Sequence, residues 1–164
     1  MKHKIYVDLD GVMANFEKGI VDLTGIHYWD RLSDRFWDRI GEEPNFFYNL
    51  DLLPGSFLML EALLIKHGTD IVEILTATPR PTNLLATADE DKRRWVRDLA
   101  GDEIVVNTVV GGKNKYKFLE ENPRAVLIDD YERNIKLWVE HGGCGILHTD
   151  PDSTITKLKL LGLL

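Results

Sequence analysis

The sequence predicts an α/β fold, a parallel sheet with helices on both faces and a small helical cap inserted after the first strand. Three observations lead there. Short apolar runs recur at Ile5 to Leu9, Ile71 to Leu75, Ile104 to Val110, Ala125 to Ile128 and Cys144 to Leu147, and amphipathic segments separate most of them. Several of these runs are apolar throughout rather than alternating, as strands buried on both faces are. Finally, the interval from Leu9 to Pro54 is too long for a structureless loop in a compact domain and carries helix-like stretches around Asn15 to Thr24 and Leu32 to Ile40.

The helix signals fall between the strands. Pro54 suits a first helical position, Gly68 a C-terminal stop, and Thr87 with Glu90 has capping-box spacing. Further helices are expected over Lys115 to Glu121, Glu132 to His141 and Ser153 to Leu161, with Pro123, Gly142 and Gly143 as punctuation. The expected organisation is a single domain over residues 1–164, with residues 14–53 as the cap. No internal repeat and no low-complexity segment is present.

The chain has 164 residues, 44% of them apolar and 29% charged, which are ordinary values for a globular domain. No stretch reaches the roughly 18 apolar residues of a membrane span. Lys2-His3-Lys4 runs straight into the first apolar segment, leaving no room for an export signal, and Cys144 is the only cysteine. A cytoplasmic location is therefore expected, with Cys144 as a small buried strand residue. A net charge of −7, with Lys92-Arg93-Arg94 as the longest basic cluster, argues against long nucleic acid as a partner. A small anion can still be held locally by one metal and one lysine. The sequence leaves a homodimer open.

In an open parallel sheet, ligands bind beyond the carboxyl ends of the strands. Four groups of reactive residues follow strands in that register. Asp8-Leu9-Asp10-Gly11-Val12 closes the first strand, where carboxylates two residues apart on an extended chain point the same way and Gly11 permits a sharp turn. Thr76 follows Ile71 to Leu75, Lys113, Lys115 and Lys117 open a helix, and Asp129-Asp130 follows Ala125 to Ile128. A lone threonine or lysine here is more often a cap or a solvated face. Two acidic pairs brought together after apolar strands are costly without a cation between them. A calcium loop fits poorly, because counting from Asp8 puts Met13 and Gly19 where glycine and glutamate are needed.

In this order, Asp-x-Asp, Thr, Lys and an acidic pair resemble the haloacid dehalogenase superfamily of phosphotransferases over residues 5 to 130. The resemblance implies a Rossmann-like core. A response-regulator receiver uses similar groups in a different order. A cap between the first two motifs is similar to the 5′(3′)-deoxyribonucleotidase branch, including its phage and bacterial relatives. The strings Asp8-Leu9-Asp10-Gly11-Val12-Met13-Ala14-Asn15-Phe16, Asn45-Phe46-Phe47-Tyr48-Asn49-Leu50-Asp51-Leu52-Leu53-Pro54-Gly55 and Leu127-Ile128-Asp129-Asp130 carry that likeness. Asn15 stands where an aspartate is expected, and Thr76-Ala77-Thr78-Pro79 is one residue longer than the Thr-Ser-Pro form of animal relatives.

The resemblance implies a Mg²⁺-dependent phosphomonoesterase acting on nucleoside monophosphates. Asp8 would be the nucleophile that forms an aspartyl phosphate, and Asp10 the general acid and base. Thr76 and Ala77 would hold the phosphate, and Asp8, the Asp10 carbonyl and Asp130 the Mg²⁺. Asp129 would position the lysine or the metal's water. Lys115 is the preferred lysine and Lys117 the runner-up. Eight aromatics, Phe16, Tyr28, Trp29, Phe36, Trp37, Phe46, Phe47 and Tyr48, crowd the cap interval. Most should be packing, but a planar base would stack on such rings, with Phe16 the strongest candidate and Phe47 and Trp37 behind it. Other readings are a phosphatase for sugar phosphates or nucleic-acid 3′-phosphate ends, and a non-catalytic nucleotide- or metal-binding protein.

Overall fold

The computed structural model describes residues 3–30, 35–80 and 85–164. Five strands, β1 (Ile5–Val7), β2 (Val72–Thr78), β3 (Val106–Val110), β4 (Val126–Asp129) and β5 (Cys144–Leu147), form one parallel sheet in the order β3-β2-β1-β4-β5. The helices are α1 (Phe16–Thr24), α2 (Arg35–Glu42), α3 (Ser56–His67), α4 (Ala88–Ala100), α5 (Glu132–Glu140) and α6 (Pro151–Leu160). Tighter 3₁₀ turns cover Tyr28–Asp30 and Gly112–Leu119. This is a Rossmann-like α/β fold. The chain leaves central β1 towards β2 on one side and later returns to β4 on the other, so the crevice at the carboxyl ends lies beside β1.

Side chains alternate across each strand, and the core divides accordingly. Ile5, Val7, Val72, Ile74, Val126 and Ile128 belong to the larger cluster, with Met59 and Leu63 of α3, Trp95 and Val96 of α4 and Leu158 of α6. Tyr6, Leu75 and Leu127 face the other way, onto Trp138 of α5 and Leu119. Both faces are covered, which is why these strands read as unbroken apolar runs.

Between β1 and α3 the chain makes α1, the 3₁₀ turn and α2. The base of this insertion is stitched where Asn15 N donates to the Asp51 carbonyl at 2.7 Å and Leu53 N to the Met13 carbonyl at 2.7 Å. Its apolar residues Ile20, Phe36, Ile40, Phe46, Phe47 and Leu50 join the larger sheet cluster rather than forming a core of their own. Trp95 Nε1 of α4 donates to the Leu50 carbonyl at 2.8 Å and ties the insertion down further. Residues 32–34 of the expected second cap helix lie outside the described residues, as does the Trp29 side chain.

Several local expectations need correction. Pro54 does not open α3; the chain turns through Gly55 at φ 79° and the helix begins at Ser56. Thr87 is the N-cap of α4 but makes no side-chain cap hydrogen bond, and its hydroxyl donates to Asp91 instead at 3.4 Å. The helix expected from Lys115 begins earlier, as a 3₁₀ turn from Gly112. Strand β2 continues to Thr78 because Ala77 and Thr78 still pair with Val109 and Val110. Cys144, expected to be buried, is half-buried at the start of β5.

Candidate active site

The acidic groups meet where the switch beside β1 places them. Asp8 N donates to the Ile128 carbonyl at 2.9 Å, which sets the ends of β1 and β4 side by side. Carboxylate oxygens of Asp8, Asp129 and Asp130 all lie within 4.8 Å of one another. The chain then turns at Gly11, whose φ of 77° favours glycine. A Cβ on Gly11 would lie 2.0 Å from Asp130 Oδ2, so the turn leaves room for nothing larger.

Asp8 and Asp129 share one cation. Lys115 Nζ lies 2.8 Å from Asp8 Oδ2 and donates to Asp129 Oδ2 at 2.6 Å, with the lysine only 1% exposed. Burial opposes its charge, but the two carboxylates together hold its amine above the ordinary value. Asp8 Oδ1 also accepts from Leu9 N at 2.8 Å. Asp129 is saturated further: Tyr131 N donates to Oδ1 at 2.8 Å, and Asn134 Nδ2 reaches both oxygens at 3.2 and 3.0 Å.

One lysine does not neutralise this group. Burial pushes the Asp8 carboxyl up; Lys115 opposes the shift, while Asp129 and Asp10 add to it. Asp130 is pushed up to about 8 by loss of water and by Asp8, Asp129 and Asp10. Because the Asp130 side chain still reaches solvent, the neighbouring negative charges are the sturdier cause. Oxygen donors on separate segments with excess negative charge suit a hard divalent cation such as Mg²⁺. Asp129 has its lone pairs engaged by protein donors, which leaves Asp8 and Asp130 better placed as ligands.

Asp10 faces the same cavity as Asp8 but takes a different partner. In the turn that follows β1, Asp10 Oδ2 accepts from Lys92 of α4 at 2.6 Å. Thr76 is fully buried inside β2 rather than at its end, and its hydroxyl also accepts from Lys92, at 3.1 Å.

A cavity of about 700 Å³ opens above these groups. Asp8, Asp10 and Asp130 form its acidic floor, Phe16, Tyr28, Trp37 and Phe47 one wall, and Ala77, Thr78, Gly112, Lys113, Arg133 and Asn134 are among the residues that complete it. Of the residues expected at the substrate, Phe16, Trp37, Phe47 and Ala77 line the cavity. Thr76 and Lys117 are not among the residues lining the cavity, whereas Thr78, at the end of β2, is. Lys115 and not Lys117 reaches the carboxylates, and Lys117 is exposed.

Sequence reasoning passed over Lys92, Asn134 and Thr78. Lys92 carried a signal, since it shares the buried face of α4 with Ala88, Trp95 and Val96 at helical spacing. Asn134, one turn into α5, carried none.

No protein-family model matches the chain, and no curated protein does. Among solved structures the fold is similar to that of a hydrolase from Streptococcus pneumoniae TIGR4, with a TM-score of 0.55 and 14% identity over 99% of this chain and 100% of that one. An uncharacterized protein from Corynebacterium glutamicum ATCC 13032 Kitasato gives a TM-score of 0.48 and 19% identity over 99% of this chain and 95% of its own. At such identities the first likeness is one of fold.

Proposed function

We propose that the chain is a Mg²⁺-dependent phosphomonoesterase of the haloacid dehalogenase type, acting on nucleoside monophosphates. The observation that carries this reading is the convergence of Asp8 and Asp130 from two distant segments, with Lys115 beside the attacking carboxylate. The Streptococcus pneumoniae hydrolase of similar fold agrees with it in class.

Asp8 would attack phosphorus, forming an aspartyl phosphate as the ester P–O bond breaks. Asp10 would give its proton to the leaving oxygen and later take one from the water that attacks the phosphoryl group and frees Asp8. Repulsion between carboxylate and phosphate dianion is the main obstacle. Asp8, Asp130 and the Asp10 carbonyl would hold Mg²⁺, which would supply positive charge against it. Lys115 would add its own charge, Asp129, itself held by Asn134, would fix that lysine, and Thr78 on the cavity wall would offer the phosphate a hydroxyl.

The aromatic wall selects the rest of the substrate. A cavity of about 700 Å³ is within the usual range for small-molecule sites. Phe16 and Phe47 are parallel, 8° apart, with centroids 6.1 Å apart. That gap is too narrow for a base between them at normal contact of about 3.5 Å on each side. The base would stack on half-buried Phe16 or Trp37 from the cavity side, a contact worth roughly 1–3 kcal/mol.

Phosphate release from ribo- and deoxyribonucleoside monophosphates and sugar phosphates, with and without Mg²⁺, tests the reading. Nucleotides are expected to lead, only with the metal, and Asp8→Asn to remove turnover while the fold persists. Sugar phosphates ahead of every nucleotide would refute the base-stacking argument, and near-normal turnover by Asp8→Asn would refute the mechanism.

A further inference from the structure

Lys92 is a buried charge for which the reaction above has no use. In a helix facing a core, lysine usually extends its amine back to water, and burying it unpaired costs several kcal/mol. Its neighbours behave ordinarily: Arg93 pairs with Asp89 on the surface and Arg94 lies over Tyr48. Lys92, only 1% exposed, turns inward. Its ammonium is held on three sides, by Asp10 Oδ2 at 2.6 Å, by Thr76 Oγ1 at 3.1 Å and by the Phe47 ring, whose centroid is 4.8 Å away. Asp10 is thereby fixed through one oxygen, while Oδ1 makes no hydrogen bond among the described residues and the side chain lines the cavity.

We infer that Lys92 is a positioning residue for Asp10, holding Oδ2 so that Oδ1 faces the leaving-group oxygen and stabilising the carboxylate left once its proton has gone. Thr76 is the partner that aims Lys92, which gives a buried threonine outside the cavity a part in the reaction. The inference rests on the phosphomonoesterase reading. The proton moves from Asp10 Oδ1 to the ester oxygen as that P–O bond breaks, and one returns to Asp10 from the attacking water; Lys92 keeps its own protons throughout.

A residue acting through the general acid matters to the first step, in which the ester P–O bond breaks and Asp8 is phosphorylated, only when the leaving group needs a proton; the second step, with Asp10 as base, is common to every substrate, so the test reads the first step alone. A nucleoside leaves as an alkoxide and needs one, whereas p-nitrophenolate is stable as an anion. Lys92→Met is expected to lower the single-turnover rate of leaving-group release, read by rapid mixing with enzyme in excess, by about 30-fold or more for a nucleoside 5′-monophosphate, a part of the roughly 10²–10⁴-fold that general acid–base catalysis supplies, and by less than about threefold for p-nitrophenyl phosphate. Equal losses of that first-step rate on both substrates would mean that Lys92 is only a staple between α4 and the turn after β1, and would overturn the inference. In an Asp10→Asn background Lys92→Met should cost nothing more, and an additive loss would also overturn it. Should Lys92→Met fail to fold, Thr76→Val, which removes the hydroxyl at nearly constant volume, must show the same preferential loss to a smaller extent. A wild-type chain inert towards both substrates would sink the phosphatase reading and this role together; an active wild type with equal losses in the variant sinks this role alone.

Discussion

A lysine buried between two carboxylates is stable only as a set. Lys115 takes both Asp8 and Asp129, and removing it would leave two buried acids facing each other. Breaking such a pair from one side typically costs about 3–5 kcal/mol. Lys115→Met is therefore expected to lower unfolding stability by about that much in metal-free buffer and to remove most turnover. Lys113→Met, at the exposed rim of the cavity, should stay within about 0.5 kcal/mol of wild type in stability. Urea unfolding and phosphate release on both variants check this; equal losses would mean that the charge of the lysine run matters rather than the position of Lys115.

At the scale of elements, the site depends on where strands stop. β1 ends at Val7 and the turn through Gly11 lets Asp10 swing to α4 while Asp130 closes in from the other side. Alanine at position 11 would meet Asp130 Oδ2 at 2.0 Å in a backbone conformation that side chains disfavour. Gly11→Ala is expected to push Asp130 away and weaken Mg²⁺ binding at least tenfold, about 1.4 kcal/mol, while the sheet still forms. Calorimetric titration with Mg²⁺, alongside a far-ultraviolet spectrum, reads both. Unchanged affinity would show that Asp130 is not a ligand.

Across the whole molecule, the gathered acids make stability depend on pH and on the metal. The folded chain keeps protons on Asp8 and Asp130 that the unfolded chain would release. Groups held above their unfolded value stabilise fully at low pH and lose that contribution as pH rises. Metal-free protein should therefore lose stability as pH climbs from the ordinary 3.8 towards about 8, the window set by Asp130. Asp89 and Asp150, held low in the fold, work in the opposite sense only as pH falls further. Mg²⁺ needs the ionised carboxylates, so its stabilising effect should grow over the same window. Thermal melts in EDTA and in Mg²⁺ across that range test it; a Mg²⁺ shift equal at both ends would contradict the proposed ligands.

What the sequence determined by itself was the order of elements and the acidic and lysine positions. Those signals are local: an apolar run buried on both faces, and charges that no apolar strand end tolerates alone. Strands and helices stand within a few residues of their expected places, and Asp8, Asp129, Asp130 and Lys115 come together. Only the tertiary structure decided which side chains meet across elements. It put Thr78 rather than Thr76 among the cavity's lining residues, because pairing with β3 carries β2 three residues further than the apolar run. It drew the rings of the insertion into the core of the sheet, and sent Lys92 inward to Asp10. Such contacts depend on chain segments far apart in sequence, and periodicity along one segment carries no record of what packs against it.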